Sequence, residues 1–321
     1  MPRSSGWLQI RHAQSSLDGG SMEIKTAEIG STISAGVGEK LSDCDPEEVR
    51  RLLRENGWVY FTGFAPTLEE YQSFTQKFGK CATPRSIVYP PGGVALGFHA
   101  EDSYNPWRPD ALWFLCLNAG SDGGAPTGVV DGVALLEHLS DEWRPFAQDN
   151  ELCFHRSWPR EQWRKAAGGD DPAEISDFLG TLPQFEFEFT QDGTLHTRYT
   201  TPIAVTTRAG ARSLSNTALH AVTDPEYYGM KLATGEPVPQ DFLDAVEKLA
   251  LEREIPLGWS AGDMVVIDNY RLMHRRGEFH GSGRELRVVH GEEFFGTPLP
   301  IARTPAAMAM KEAVQGEEDL R

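Results

Sequence analysis

Short segments dense in aromatic and β-branched residues recur along the chain, and they limit it to a fold built mainly from strands. The stretch 58–64 (WVYFTGF), set off by glycines, is typical of a buried strand. Further strands are predicted at 111–117, 184–190, 195–199, 264–267 and 286–290. An amphipathic helix is predicted at 45–56, where Asp45 and Pro46 form a start signal, with a capped helix at 67–78 that begins at Thr67 and a third helix at 240–251. Many short strands with few helices favour an α+β fold, mainly β, of the sandwich type.

The charge balance argues against two classes of partner. The chain has 47 acidic and 30 basic residues, a formal net charge of −17, which would repel both nucleic-acid phosphates and anionic lipid headgroups. We therefore expect no nucleic-acid or membrane partner. Apolar runs are shorter than a membrane span and no signal-peptide pattern is present, so a cytoplasmic protein is expected. The four cysteines form no CxxC pair and are expected to be reduced thiols.

The chain is long for one average domain, but a single domain with surface insertions is expected. We expect this domain over residues 22–303, between a Ser- and Gly-rich flexible tail at 1–21 and a C-terminal tail at 304–321. Residues 158–177 are polar and Gly-rich, which predicts a surface insertion. Two alternatives stay open for it: a lid that orders over the active site, or a segment that Trp158 and Trp163 pack against the sandwich.

One H-x-E pair and a distant histidine suggest a metal site. Iron(II) oxygenases use two imidazoles and one carboxylate on one face of the metal. His99 and Glu101 have the i, i+2 spacing that places two side chains on one face of a strand. Chance alone would give about one such pair, and His290 with Glu292 is another, so the pair is a weak signal by itself. The segment 262–276 adds a glycine turn, an apolar strand and His274 as a third ligand, and arginines follow it.

Two longer segments resemble one enzyme family. Residues 98–131 (FHAEDSYNPWRPDALWFLCLNAGSDGGAPTGVVD) are similar to the first half of the active site in the taurine dioxygenase superfamily. The likeness is to its H-x-E branch, which includes clavaminate synthase-like and peptide-antibiotic amino-acid hydroxylases. Residues 259–293 resemble the second half of that signature, and the similarity extends over about residues 40–296. The resemblance implies a double-stranded β-helix (jelly-roll) core, iron(II), and 2-oxoglutarate and O2 as co-substrates.

Residue by residue, the resemblance implies that His99, Glu101 and His274 bind iron and that Thr127 donates to the distal carboxylate of 2-oxoglutarate. The arginine that pairs with this carboxylate is either Arg284, which fits the family pattern better, or Arg287. The two should point to opposite faces of a strand, so only one can serve. The reading G-G-A-P-T before position 127 is one residue longer than the usual G-G-x-T.

Weaker candidates surround the expected pocket. Tyr104, Asn105, Trp107 and Asn216 either contact substrate or serve packing and turns, and we leave both readings open. The other histidines, His155, His196, His220, His280 and His290, are expected to be structural or at the surface.

The resemblance predicts hydroxylation of an unactivated C–H in a small polar metabolite, such as an amino acid or a derivative, free or tethered to a carrier protein. Desaturation or ring formation by the same class of enzyme is the alternative. A non-catalytic binding protein on the same fold is a further, less favoured reading. The carboxylate at position 101 argues against a halogenase, because halogenases of this superfamily carry Gly or Ala there.

Overall fold

The computed structural model describes residues 21–81, 85–88, 95–121, 127–167, 171–221, 229–277, 281 and 283–296. The predicted tails at 1–21 and 304–321 lie outside these ranges apart from residue 21, and so does His280. The domain limits predicted from the sequence therefore stay a prediction.

Several of the helices begin at residues whose side chains cap them. They are α1 (Pro46–Asn56), α2 (Leu68–Thr75), α3 (Gly132–His138), α4 (Trp143–Asp149), α5 (Arg160–Ala167), α6 (Pro172–Leu179), α7 (Ala218–Ala221) and α8 (Gln240–Arg253). Asp45 accepts a hydrogen bond from the backbone of α1, and Gly57 ends that helix in the left-handed conformation at φ 84°. Thr67 and Glu70 form a reciprocal capping box on α2. Within the described part of the chain, no helix has both the length and the apolar content needed to cross a membrane.

The strands include all those predicted, with bounds shifted by a few residues. They are β1 (Glu23–Thr26), β2 (Ser31–Ser34), β3 (Trp58–Thr62), β4 (Arg85–Val88), β5 (Leu96–His99), β6 (Ala111–Asn118), β7 (Thr127–Asp131), β8 (Glu151–Trp158), β9 (Phe185–Phe189), β10 (Leu195–Pro202), β11 (Val205–Thr206), β12 (Arg212–Ser213), β13 (Gly229–Leu232), β14 (Ile255–Leu257), β15 (Met264–Asp268), β16 (Leu272–Arg276) and β17 (Glu285–Gly291).

A seven-stranded sheet of order β1-β2-β3-β15-β6-β17-β4 forms the larger layer. Its pairs are antiparallel except β2 with β3, which run parallel. Successive residues alternate between its two faces, as the strand geometry requires. On one face Phe61, Trp113 and Val266 pack against α1 and α2. On the other, Tyr60, Phe114 and further side chains face the second sheet.

The second sheet, of order β14-β7-β16-β5, has four strands and covers that inner face. Val129, Leu257 and Leu272 share one buried cluster with the inner side chains of the large sheet. On its outer face, Phe98 and Met273 pack with buried residues of α3 and α8. Two sheets enclosing one core confirm the prediction of a mixed, mainly β fold with flanking helices.

A third sheet, of order β13-β8-β10-β9, belongs to the segment between β7 and β14. The predicted insertion at 158–177 continues from β8 into α5 and α6. Trp158 and Trp163 are both buried, with Trp107, Ile175 and Phe178, in a cluster of their own. The packed alternative describes this structure, and the lid alternative stays untested.

Candidate active site

The three predicted metal ligands lie close together at one end of the second sheet. β5 and β16 pair so that His99 lies directly opposite His274, and their ring centroids are 4.2 Å apart. Glu101 Oε2 is 3.7 Å from His99 Nε2 and 3.8 Å from His274 Nε2. One candidate ligand atom from each of the three residues lies within 4.8 Å of the others. The geometry therefore brings together the two imidazoles and one carboxylate predicted from the sequence.

Glu101 does not lie on the same strand as His99, although the i, i+2 argument assumed that it would. β5 ends at His99, so Glu101 lies in the turn that follows and not on the strand. Asn269 holds this turn from both sides: its Oδ1 accepts a hydrogen bond from the Glu101 N–H at 2.9 Å, and its Nδ2 donates to the Glu101 carbonyl at 2.9 Å. Next in the chain, Asp102 adopts a positive φ of 53°, uncommon for a residue other than glycine. The carboxylate is thus placed by a clamped turn.

The protonation states suit a metal ligand set. Burial, with a smaller contribution from His99, lowers the pKa of His274 to about 3, so its imidazole is neutral near pH 7. Burial raises the pKa of Glu101, but hydrogen bonds from His290 and His99 outweigh that effect and hold it well below the usual range. His99 Nδ1 lies 2.9 Å from the Gly97 carbonyl oxygen, and donation there leaves the Nε2 lone pair for a metal. The neutral His274 imidazole and the ionised Glu101 carboxylate are donors of the kind that non-haem iron(II) prefers.

His290 proves to be part of this centre, although the sequence analysis left it as structural. It is 3% exposed, its Nε2 lies 3.4 Å from Glu101 Oε1, and its Nδ1 lies 3.6 Å from Asp102 Oδ2. Leu286 and Val288, on the same face of β17, point into the core between the sheets. That strand periodicity is the signal that could have placed His290 inside.

The two candidate arginines differ sharply in environment. Arg284 is 1% exposed and its Nη2 donates to Thr127 Oγ1 at 3.0 Å. The same hydroxyl accepts a hydrogen bond from Trp259 Nε1 at 3.1 Å. The Arg287 side chain is 26% exposed and lies 3.6 Å from the Glu285 carboxylate. The two arginines therefore lie in different environments, and the buried Arg284 is the one that reaches Thr127.

The weaker candidates separate into two groups. Tyr104, Asn105 and Trp107 line one cleft beside β8 and β10. Asn216 instead uses its amide within the fold, donating to the Ile203 carbonyl at 2.8 Å and accepting from the Ala218 N–H at 2.9 Å. For Asn216, then, the structure fits the turn-chemistry reading.

His220, expected to be structural, lies near the metal centre. Its ring centroid is 5.3 Å from that of His99. Burial, with a smaller contribution from the neighbouring His99, lowers the pKa of His220 to about 4. No sequence pattern marked this residue, because it lies on the short helix α7, which contacts β5 only in the folded chain.

Comparison with known proteins identifies the family. The model of the taurine catabolism dioxygenase TauD, TfdA family matches residues 25–290. The chain belongs to this family. It is therefore an oxidoreductase of the iron(II)- and 2-oxoglutarate-dependent dioxygenase class, and the His99–Glu101–His274 geometry fits that metal. The resemblance seen in the sequence is confirmed.

Individual relatives are distant but match over most of their length. Dapdiamide synthesis protein DdaC of Enterobacter agglomerans is 25% identical, over 81% of this chain and 88% of DdaC. The 3-((Z)-2-isocyanoethenyl)-1H-indole synthase of Fischerella ambigua is 23% identical, over 76% of this chain and 85% of the synthase. The solved structure of PvcB from Pseudomonas aeruginosa shares the fold, with a TM-score of 0.59 at 16% identity, over 87% of this chain and 94% of PvcB.

Proposed function

We propose that His99, Glu101 and His274 hold iron(II) in this enzyme, and that Arg284 with Thr127 holds 2-oxoglutarate. The observation that carries the proposal is the convergence of three ligand atoms within 4.8 Å, in a fold that also buries an arginine against a threonine hydroxyl. We also infer that the two facing sheets are the double-stranded β-helix core of the family. The reaction proposed is hydroxylation of an unactivated C–H in a small polar metabolite.

Each of these side chains has a definable task. When bound, the metal supplies the activation of O2 and the attack on the C–H bond. His99, Glu101 and His274 bind on one side and leave the other positions for co-substrate. Arg284 presents a planar guanidinium from a water-excluded site, which suits a carboxylate. Because the Thr127 oxygen accepts from Arg284 and Trp259, its own proton is directed elsewhere and can be donated to that carboxylate.

The substrate class follows from the relatives' names and from the resemblance. DdaC is named for the synthesis of dapdiamide, which places one relative in a biosynthetic pathway. We propose an amino acid or a derivative as substrate, free or tethered to a carrier protein. Desaturation is the second candidate reaction, since the Fischerella relative is named for a product with an ethenyl group. Mass spectrometry of the product separates the two: hydroxylation adds one oxygen atom, and desaturation removes two hydrogens.

A metal titration tests the iron site. Anaerobic addition of iron(II) and 2-oxoglutarate should produce the visible metal-to-ligand charge-transfer band of this enzyme class. Replacing His99, Glu101 or His274 by Ala should abolish the band and the turnover while the fold persists, because each variant leaves the set one ligand short. Full activity in all three variants would contradict the assignment, and absence of the band in the unmodified protein would favour a binding protein on the same fold.

A matched pair of arginine variants tests the co-substrate site. Arg284→Gln should raise the 2-oxoglutarate concentration needed for half-maximal turnover by about two orders of magnitude, since leaving a buried charge unpaired costs roughly 2–5 kcal/mol. Iron affinity should change little. Arg287→Gln is the control and should be mild, because that side chain is partly exposed. The reverse ranking would move the site to Arg287.

A further inference from the structure

Trp259 connects the two facing sheets at the proposed co-substrate site. β14 pairs with β7 so that Leu257 lies opposite Thr127, and Trp259 follows in the turn that leads from the second sheet to β15 of the large one. Its ring packs against Tyr60 and Phe114 of the large sheet, with ring centroids 6.2 and 6.3 Å away. Its indole N–H donates to Thr127 Oγ1 at 3.1 Å. Trp259 is 6% exposed, so water has little access to this hydrogen bond.

The hydrogen bonds at Thr127 leave its hydroxyl proton with one available direction. A threonine hydroxyl can accept two hydrogen bonds and donate one. The indole of Trp259 and the guanidinium of Arg284 can only donate, and at 3.1 and 3.0 Å they occupy both acceptor positions of Thr127 Oγ1. The hydroxyl proton must therefore be donated to a third group. A carboxylate bound by Arg284 would be within reach of that proton.

A buried carboxylate fixes the turn that carries Trp259. Asp263 is 4% exposed and accepts hydrogen bonds from the Tyr60 hydroxyl at 2.7 Å and the Thr62 hydroxyl at 3.0 Å. It also accepts from the Ser260 backbone N–H, within the turn itself, at 3.0 Å. These bonds join the turn to β3, so the large sheet sets the position of the indole independently of the strand that carries Thr127. Side chains held in this way by a surrounding shell are the ones that can orient a binding group precisely.

From these contacts we infer that Trp259 is a positioning residue for the co-substrate, which directs the Thr127 hydroxyl proton toward the distal carboxylate of 2-oxoglutarate. The inference rests on the proposed function, because it concerns the same site of Arg284 and Thr127. Without the indole N–H, one acceptor position of Thr127 is open and the hydroxyl can rotate away from the carboxylate. One hydrogen bond between neutral groups changes a dissociation constant about two- to tenfold.

Titration of the cobalt(II)-loaded protein with two keto acids, followed by cobalt absorption, tests the inference. 2-Oxoglutarate and 2-oxopentanoate have the same carbon chain, but only the first carries a distal carboxylate. Trp259→Phe should bind 2-oxoglutarate about two- to tenfold more weakly and 2-oxopentanoate as before, because only the first ligand uses Thr127. In a Thr127→Val background, Trp259→Phe should cause no further loss. In a Thr127→Ser background, which keeps the hydroxyl, the loss should return.

Trp58→Phe is the matched control. Trp58 is 5% exposed in the same buried cluster, and its indole N–H meets no acceptor among the described residues, so the change should leave both affinities as they are. Trp259→Leu removes the N–H with a different shape and should reproduce the Trp259→Phe result. Circular dichroism establishes that each variant is folded.

Three results would overturn the inference: unchanged 2-oxoglutarate affinity in the folded Trp259 variants, equal weakening of both keto acids, or an additive loss in the Thr127→Val background. Failure of the proposed function looks different. In that case the unmodified protein itself would bind the two keto acids equally, and Arg284→Gln would change neither affinity, which would remove the co-substrate site and the inference together.

Discussion

His290 offers a test of how the metal-binding carboxylate is held. Glu101 turns Oε2 toward the two ligand histidines and Oε1 toward His290 Nε2, 3.4 Å away. Asp102 faces the other ring nitrogen at 3.6 Å, so the imidazole lies between two carboxylates. Replacing it with leucine keeps much of the volume but removes both ring nitrogens. A hydrogen bond to a charged group contributes roughly 1.5–3 kcal/mol, and loss of such an outer partner typically lowers metal affinity about 10–100-fold.

The assay is a cobalt(II) titration of apoprotein against a competing chelator, followed by cobalt absorption. His290→Leu should lose about 10–100-fold in affinity, and its spectrum should change as the carboxylate reorients. His290→Gln keeps an N–H near the Nε2 position and should lose clearly less. Circular dichroism establishes that both variants are folded. Unchanged affinity and spectrum in folded His290→Leu would refute the reasoning, and equal losses in the two variants would show that the donor is not what matters.

Three further outcomes are expected. Burial raises the pKa of Asp268 to about 7, so its contribution to stability is complete below the unfolded pKa near 4 and is lost as the pH rises through about 7. In urea titrations between those pH values, the free energy of unfolding should depend less on pH in Asp268→Asn than in the unmodified protein, with a difference of up to about 4 kcal/mol over the range. Parallel pH profiles for the two proteins would contradict this. Trp163→Ala should destabilise the fold by roughly 3–5 kcal/mol, and a loss below about 1 kcal/mol would mean that the 158–177 packing contributes little. Trypsin cleavage at Arg164 should not depend on iron, 2-oxoglutarate or substrate; protection by ligands would instead establish a lid.

Features that depend on residues close together in the sequence were predicted correctly. Helix caps at Asp45 and Thr67 are read from neighbours a few residues apart, and both were found as predicted. The strand predicted at 111–117 was likewise found, as β6. These features depend on contacts within a single helix or strand, so the local sequence is enough to predict them.

What escaped prediction depends on contacts between distant segments. Glu101 lies in a turn whose position is set by Asn269, more than 160 residues away in the chain. The parallel pairing of β2 with β3 has no local signal either. Arg156 of β8 lines the same cleft as Trp107, although the two residues are far apart in the sequence. The residue pattern within one helix or strand does not indicate which distant segment will contact it.

The pairing of β7 with β14 has a further consequence. Val129 lies opposite Ile255, so the chain leaves the second sheet at residue 131 and returns at residue 255 on the neighbouring strand. Everything between, including the whole third sheet and the cleft wall at Arg156, is a cassette with adjacent ends. A cassette of this kind can lengthen, shorten or change its lining while the strands that carry His99 and His274 keep their register. The third sheet can therefore diverge between related enzymes without disturbing the ligand strands, whereas α7 in the same segment, which places the His220 ring centroid 5.3 Å from that of His99, ties that part to the metal centre.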